Sequence, residues 1–240
     1  MPLPSTGPLG LSQIQGEFGG ANPTSLSEYY RGGPLVVGGL QNSNVPTSGR
    51  VSISNFRSSS KTVVVTYEII GAGGAGGYGL EDGGGFGRGG DGSNSEIIGP
   101  SINIIAPGGS GGLNGGIGFS DFVNREGKGS FYGPGGAAGL NGLVGGDAPA
   151  SSYGSGGGGA GGDSPSQYDS SGNAGEGGFA GTRLTGTFTI PYGTNLSISI
   201  GVGGLGNGAR PGGRGADGYC KLMYDDKVVN IINSQSVNII

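Results

Sequence analysis

Glycine recurs at every third position over long stretches of this chain. One unbroken phase runs through Gly133, Gly136, Gly139, Gly142 and Gly145. A period of three is typical of polyproline II helices, which have three residues per turn and no internal hydrogen bonds. Every N–H and C=O of such a helix needs a partner in a neighbouring segment or in water, because a buried unpaired group is costly. The pattern predicts short polyglycine II helices packed side by side, with a β-strand frame around them.

The composition lies between that of disordered and that of fibrous proteins. Of 240 residues, 63 are Gly and 13 are Pro, and the formal net charge is only −4. Short β-branched and aromatic runs bracket the glycine-rich stretch, so a hydrophobic core can form. We therefore expect an ordered, mostly β and irregular fold rather than a disordered chain.

Several classes of function are disfavoured by what the sequence lacks. The chain has no His, which removes imidazole bases and His-ligated metals. Its single cysteine, Cys220, lies in an apolar strand pattern and is interpreted as a buried, inert thiol. The 12 Lys and Arg residues are not clustered, which argues against nucleic acid. We find no signal segment and no apolar run long enough for membrane insertion.

Residues 1–34 differ in pattern from the glycine-rich body and are interpreted as an attachment segment. Residues 12–15 and 25–28 fit the capping-box pattern, which predicts two very short helices. The apolar contacts would be Ile14, Phe18, Leu26, Tyr29 and Tyr30. A segment this short cannot bury a core of its own, so it packs on the main body or docks on another protein. We favour docking, with residues 35–50 as a linker.

The glycine-rich domain is expected over residues 51–226, framed by strands. Residues 51–54 alternate, and residues 62–70 place Val63, Val65, Tyr67 and Ile69 on one face. Residues 101–104 alternate in a way that is compatible with a further short strand, and residues 219–224 are predicted to be the last strand of the domain.

Two further predictions concern the end of the chain. Residues 184–190 and 196–202 alternate around a turn at residues 191–195, which predicts a β-hairpin. Residues 227–240 are apolar enough to be an added strand or to pair with a partner, and the sequence leaves both open.

Motifs with catalytic or metal-binding associations are weak here. Residues 71–76 match G-x-G-x-x-G, but no helix follows to hold a pyrophosphate. Residues 212–219 fit one calcium-binding nonapeptide, whereas such sites are built from tandem copies. Carboxylate pairs such as Glu81 and Asp82 are interpreted as solvated loop ends. We therefore expect no enzyme activity, no cofactor and no metal.

The turns between glycine tracts are the remaining candidates for a binding site. They combine aromatic rings with charged groups, a mixture that suits sugar rings and protein epitopes. The candidate receptor-binding residues are Tyr78, Asp82, Phe86, Arg88, Tyr132, Tyr153, Tyr168 and Asp169. The alternative is that these residues only end the helices and solvate the surface.

Two stretches carry a resemblance to proteins of tailed bacteriophages. Residues 8–33 (PLGLSQIQGEFGGANPTSLSEYYRGG) resemble a leader found in many virion structural proteins. The body, from TVVVTYEIIGAGGAGG to GGRGADGYCKLMY, resembles glycine-rich domains of phage tail fibres. Some fibre tips in that group carry a sandwich of polyglycine II helices whose end loops contact the host.

The resemblance implies a virion protein at a tail or fibre tip, acting as an adhesin. Its partners would be other virion proteins and a host glycan or outer-membrane protein, and a homo-oligomer stays open. The alternative is a head, neck or tail decoration protein that binds only other virion proteins. A bacterial surface protein is a more distant alternative.

Overall fold

A computed structural model of the chain describes residues 2–77, 88–113, 127–137, 144–157, 176–206 and 211–240. These residues are mostly β-strand and irregular, with few helices. The helices are α1 (Leu11–Phe18) and the short 3₁₀ helices Leu26–Glu28, Leu40–Asn42 and Ile53–Phe56. The strands are β1 (Thr62–Ile70), β2 (Ser95–Gly99), β3 (Ile102–Ala106), β4 (Arg183–Pro191), β5 (Thr194–Ser199), β6 (Tyr219–Tyr224), β7 (Lys227–Ile231) and β8 (Gln235–Ile239).

The strands of the described residues form two antiparallel sheets around one core. The first sheet has the order β4-β1-β6-β7 and the second has the order β3-β2-β5-β8. Strand β1 alternates as predicted: Val63, Val65 and Ile69 are fully buried, and Tyr67 packs against the same core. Burying one face of each sheet is what the alternating sequences favour.

The predicted hairpin over residues 184–202 is wrong. Strands β4 and β5 do form, but β4 pairs with β1 and β5 pairs with β2 and β8, in different sheets. Ile190 and Leu196, on either side of the turn, are buried in the same core from opposite sheets. Two strands with alternating apolar residues can bury them in either of two ways. The strands can pair within one sheet, or they can belong to two sheets that pack face to face.

The other strand predictions have mixed outcomes. The predicted strand at residues 219–224 is confirmed as β6. The strand expected at residues 101–104 is confirmed in the main as β3, which pairs with β2. The strand expected at residues 51–54 is wrong, because a 3₁₀ helix begins at Ile53. Residues 227–240 supply two added strands, one to each sheet.

Residues 2–60 form a unit with its own hydrophobic cluster, here called the N-terminal unit. The buried side chains are Leu3, Ile14, Phe18, Tyr29, Val36, Val45 and Phe56. Phe56 meets Phe18 and Tyr29 edge to face, with ring centroids 6.3 and 6.0 Å apart. Such aromatic pairs add to the stabilisation that burial alone provides.

This cluster corrects the expectations for residues 1–50. The core draws on residues on both sides of residue 34, so the segment does not lack a core, and residues 35–50 are not a linker. Ile14, Phe18 and Tyr29 are at most 1% exposed, and Leu26 packs against them. These side chains stabilise the unit itself and are not available to a partner. Tyr30 is half-buried, and its hydroxyl donates to the Gly49 carbonyl.

One of the two predicted capping boxes is confirmed. The Ser25 N–H donates to the Glu28 carboxylate at 3.2 Å, and the Ser25 hydroxyl accepts from the Ser27 N–H. The other prediction is misplaced by two residues, because α1 begins at Leu11. There the Gly10 N–H donates to the side-chain oxygen of Gln13 at 2.8 Å.

The N-terminal unit is joined to the sheets at the starting end of β1. Glu17 accepts hydrogen bonds from the Ser60 hydroxyl and the Lys61 N–H, at 3.1 and 2.8 Å. The Tyr192 hydroxyl lies 3.0 Å from both carboxylate oxygens of Asp225 and 3.1 Å from the Gln41 side-chain oxygen. The contacts place the N-terminal unit at the end of the sheets away from Ile70.

Beyond Ile70 the chain continues into residues 71–77, which are entirely buried. Successive N–H groups of this segment donate in three directions that repeat every three residues. Gly71, Gly74 and Gly77 donate to Thr182, Phe179 and Glu176; Ala72 and Ala75 to Ser93 and Gly90; Gly73 and Gly76 to Ala216 and Gly213. This is the hydrogen-bond pattern expected of an extended segment with three residues per turn.

Six described segments surround residues 71–77. In order around it they are residues 88–94, 107–113, 176–182, 154–157, 211–218 and 200–206. Neighbours in this ring are joined by backbone bonds of 2.8 to 3.1 Å, from Gly92 to Gly109, Phe179 to Ser110, Gly181 to Gly154, Ala216 to Ser155, Gly215 to Gly204 and Gly90 to Leu205. No side chain fits between backbones this close: a Cβ on Gly74 would meet the Ser110 and Gly109 carbonyls.

Side chains point out of this array at every third position of most of the segments that surround residues 71–77 and of residues 144–147. The exposed positions include Pro107, Ser110 and Leu113; Val202 and Leu205; Arg214 and Asp217; Arg88 and Asp91; Val144 and Asp147. The glycines between these positions face neighbouring segments. The period of three in the sequence therefore separates positions that pack against neighbouring segments from positions that are exposed.

Candidate functional site

The glycine-rich segments have one end at the sheets and one end away from them. At the sheet end, the Gly71 N–H donates to the Thr182 carbonyl at 3.0 Å, next to β1 and β4. At the other end, the Gly77 N–H donates to the Glu176 carbonyl at 2.8 Å. Because the joint with the N-terminal unit lies beyond the opposite end of the sheets, we call the end at Gly77 the distal end.

Described residues that border the undescribed stretches meet at the distal end. The Gly89 N–H donates to the Gly112 carbonyl at 2.9 Å, and the Glu176 N–H donates to the Leu113 carbonyl at 2.8 Å. The Gly90 N–H reaches the Leu205 carbonyl at 3.0 Å. Four connections of the chain, at residues 78–87, 114–126, 158–175 and 207–210, therefore have at least one flank at this end.

Five of the predicted receptor-binding residues fall on those connections. Tyr78, Asp82, Phe86, Tyr168 and Asp169 lie outside the described residues. Arg88 is described and lies near the distal end, but its guanidinium is engaged within the chain. It donates to Asp91 Oδ1 at 2.8 Å and to the Gly111 carbonyl at 3.1 Å.

The Arg88–Asp91 pair is one of two copies of the same side-chain arrangement. In Arg88-Gly-Gly-Asp91 and Arg214-Gly-Ala-Asp217, the arginine donates to the aspartate three residues later. Each aspartate also accepts a backbone N–H from a neighbouring segment, Gly111 or Gly203, at 2.8 Å. A carboxylate here replaces the backbone acceptor that the edge of the array lacks. Asp217 thus has a structural role within the stretch that matches the calcium nonapeptide.

Tyr132 and Tyr153 do come together, but beside the first sheet rather than at the distal end. Tyr153 stacks on Tyr219 of β6 with ring centroids 4.8 Å apart. Tyr132 meets both rings edge to face, at 5.7 Å from Tyr153 and 5.2 Å from Tyr219. Sequence reasoning missed Tyr219, which was assigned only to a strand, since its outward direction depends on the pairing of β6 with β1.

Charged groups border these rings. The guanidinium of Arg183 lies 3.9 Å from the ring centroid of Phe131, and Phe131 is 69% exposed. Arg183 Nε donates to Glu68 Oε1 at 2.6 Å. We call the group formed by Glu68, Phe131, Tyr132, Tyr153, Arg183 and Tyr219 the aromatic corner. An exposed ring beside a cation and a carboxylate can bind a ligand with both apolar and polar surface.

Burial raises the pKa of two phenols of the corner and of the neighbouring thiol. Burial, and then the nearby Glu68 carboxylate, raises the pKa of Tyr132. Burial also raises the pKa of Tyr219. Burial, and then Glu68, raises the pKa of the Cys220 thiol to about 12. These groups act as hydrogen-bonding or packing groups and do not titrate near neutral pH.

The described residues show neither a metal centre nor a membrane-spanning helix. They contain no group of three or more Cys, Asp or Glu side chains placed to hold a metal ion. Within the same ranges, no helix has the length and apolar character needed to cross a membrane.

The chain was also compared with protein-family models, with curated protein sequences and with solved structures, and none of them matches it.

Proposed function

We propose that the glycine-rich segments are polyglycine II helices stacked as a three-layer sandwich. The proposal is supported by the threefold hydrogen-bond directions of residues 71–77 and by the ring of six bonded neighbours. The middle layer would hold residues 88–94, 71–77, 154–157 and 134–137. The outer layers would hold residues 107–113, 176–182 and 127–129 on one side, and residues 200–206, 211–218 and 144–148 on the other.

We further propose that the protein is a virion adhesin of a tailed bacteriophage, located at a tail or fibre tip. The observation that carries this proposal is that the N-terminal unit and the distal end lie on opposite sides of the sheets. The N-terminal unit, which includes the stretch that resembles phage virion leaders, is joined at one end of the sheets. The distal end, with the flanks of the long connections, is at the other. A protein attached through its N-terminal unit would present the distal end outward.

The binding role is assigned to the connections that join the polyglycine helices, on a rigid base. Loops on a rigid scaffold are well suited to recognition, because the scaffold holds them at little entropic cost. The proposed partners are a host surface glycan or outer-membrane protein, together with other virion proteins. The proposal includes no catalytic step and no cofactor, as befits a chain without histidine.

A decoration protein that binds only other virion proteins is the second candidate. It is favoured by the outer face of the first sheet, where Val64 and Val228 are 50% and 56% exposed. Exposed apolar side chains on one sheet face suit a protein partner.

Binding to cells separates the two candidates. The purified, labelled chain is incubated with intact host bacteria, and the same chain is tested as a competitor of phage infection. The adhesin proposal expects saturable binding that blocks infection. A folded chain that binds phage particles lacking this protein, but not cells, would instead establish the decoration role.

A further inference from the structure

The aromatic corner lies where the glycine array meets the outer face of the first sheet. Glu68 and Lys221 are cross-strand partners on that face, whereas their neighbours Ile69 and Cys220 face the core. Tyr132 and Tyr153 pack on Tyr219, one row further along the same face. The corner is therefore on the side of the molecule, apart from the distal end and from the N-terminal unit.

The arginine of the corner has a pair of donors that no described residue engages. Only Nε of Arg183 is engaged, by Glu68, and its Nη groups have no hydrogen-bond partner among the described residues. The planar guanidinium presents its two Nη groups as a fork that matches a carboxylate. The guanidinium lies over the ring of Phe131, 3.9 Å from its centroid, and Phe131 is still 69% exposed, so apolar surface remains open next to the fork.

The local charge favours an anion. Within the corner, Arg183 is positive and Glu68 is negative, and Lys221, the cross-strand partner of Glu68, adds a second positive charge beside them. These three groups together carry a net positive charge in a chain whose net charge is −4. Glu68 orients Arg183 at 2.6 Å while its side chain is only 14% exposed. Among the described residues, the groups open to a ligand here are thus the exposed part of the Phe131 ring and two cations.

We propose that the aromatic corner binds an acidic sugar, a uronic or ulosonic acid residue of a bacterial surface polysaccharide. The carboxylate of the sugar accepts from the Nη groups of Arg183, its C–H groups contact the exposed part of the Phe131 ring next to that arginine, and Lys221 adds a positive charge nearby. The proposal rests on the proposed contact with the bacterial surface, and it adds a second, lateral site to that of the distal end.

The test is an NMR titration of the full, ¹⁵N-labelled chain with three defined probes. These are an oligogalacturonide, a 3-deoxy-octulosonic acid disaccharide and a neutral galactose oligosaccharide. The two acidic probes represent a capsule and a lipopolysaccharide core, so the one that binds better indicates the source. We expect saturable shifts of the Phe131 amide and the Arg183 Nε–H with at least one acidic probe and none with the neutral one.

Matched variants assign the binding to the corner. Phe131→Ala and Arg183→Gln are each expected to weaken the affinity about tenfold, since each removes one of the two main contacts. Phe179→Ala and Arg50→Gln remove an exposed ring and an exposed cation elsewhere and are expected to leave it unchanged. The amide spectrum of each variant reports whether it is folded.

The inference is overturned if neither acidic probe binds, if the neutral probe binds equally, or if the corner variants bind as the wild type does. These outcomes are separate from the adhesin proposal. A chain that binds cells but no acidic sugar loses only the corner site. A chain that binds the sugar but not cells keeps the corner chemistry and loses the adhesin role.

Discussion

The substitution Gly74→Ala tests the packing of the glycine array at its centre. Residue 74 lies in the fully buried segment, and a Cβ there would be 2.8 Å from the Gly109 carbonyl oxygen and closer still to the Ser110 carbonyl. Ordinary contact begins at 3.4 Å. Both opposing groups are backbone atoms, so no side-chain rotation can relieve the clash. Residues 71–77 and residues 107–113 must therefore move apart.

The cost follows from the hydrogen bonds that such a movement disturbs. The Gly74 N–H donates to Phe179 and its carbonyl accepts from Gly157, both at 2.9 Å. Each buried backbone group left without a partner costs about 1–3 kcal/mol, so the expected loss is about 2–6 kcal/mol. Domains of this kind are stable by about 5–15 kcal/mol in total, so the loss is large.

The assay is denaturant unfolding followed by the near-ultraviolet circular dichroism of the tyrosines. The matched control is Gly38→Ala, where a Cβ would have no atom within 4 Å and φ is not in the left-handed region. We expect the control to stay within about 1 kcal/mol of the wild type. A Gly74→Ala protein that is equally stable would refute the close packing of the central segment.

Three further predictions concern single side chains. Asp217→Ala is expected to lower the free energy of unfolding by about 1–3 kcal/mol, because the Gly203 N–H and Arg214 lose their acceptor. The control is Asp226→Ala, at an exposed turn. Equal stabilities of the two variants would contradict the role of Asp217. Cys220 is fully buried and its pKa is raised to about 12, so a thiol reagent at pH 8 is expected to label it only in denaturant; rapid labelling of the folded chain would contradict its burial. Burial, and then Asp225, raises the folded-state pKa of Tyr192 above its unfolded value of 10.0, so its contribution to stability is full below pH 10 and is lost as pH rises beyond that. Tyr192→Phe is expected to flatten the fall of unfolding free energy above pH 10, and an unchanged pH profile would exclude Tyr192 as its source.

The strands that were predicted correctly are those that can be recognised from their own residues. Residues 62–70 form a strand whose predicted face packs on the core, and residues 219–224 form the predicted last strand of the domain. The failure at residues 184–202 has a physical cause, since alternation does not distinguish pairing within a sheet from packing across two sheets. The turn there is held by distant groups: the Gly193 N–H donates to Ile239, and Tyr192 reaches Asp225.

The N-terminal unit and the site were harder to predict for the same reason. The cluster around Phe56 joins residues from Leu3 to Val45, and no short window shows that these side chains belong together. Tyr132 and Tyr153 were identified as candidates, but their position beside Tyr219 depends on long-range strand register. The Arg-Gly-x-Asp repeat was visible in the sequence. Its role depends on the backbone N–H groups of neighbouring segments that each aspartate accepts, and these segments are distant in sequence.

The most direct test of the account is which end of the molecule meets the cell. A single cysteine is introduced at Leu205, which is 62% exposed near the distal end, or at Thr47, which is exposed on the N-terminal unit, and each is coupled to a bulky polymer. The buried Cys220 leaves the introduced thiol as the reactive one. The polymer at residue 205 is expected to abolish binding to host cells, and the polymer at residue 47 is expected to leave it intact. The reverse result would contradict the proposed orientation.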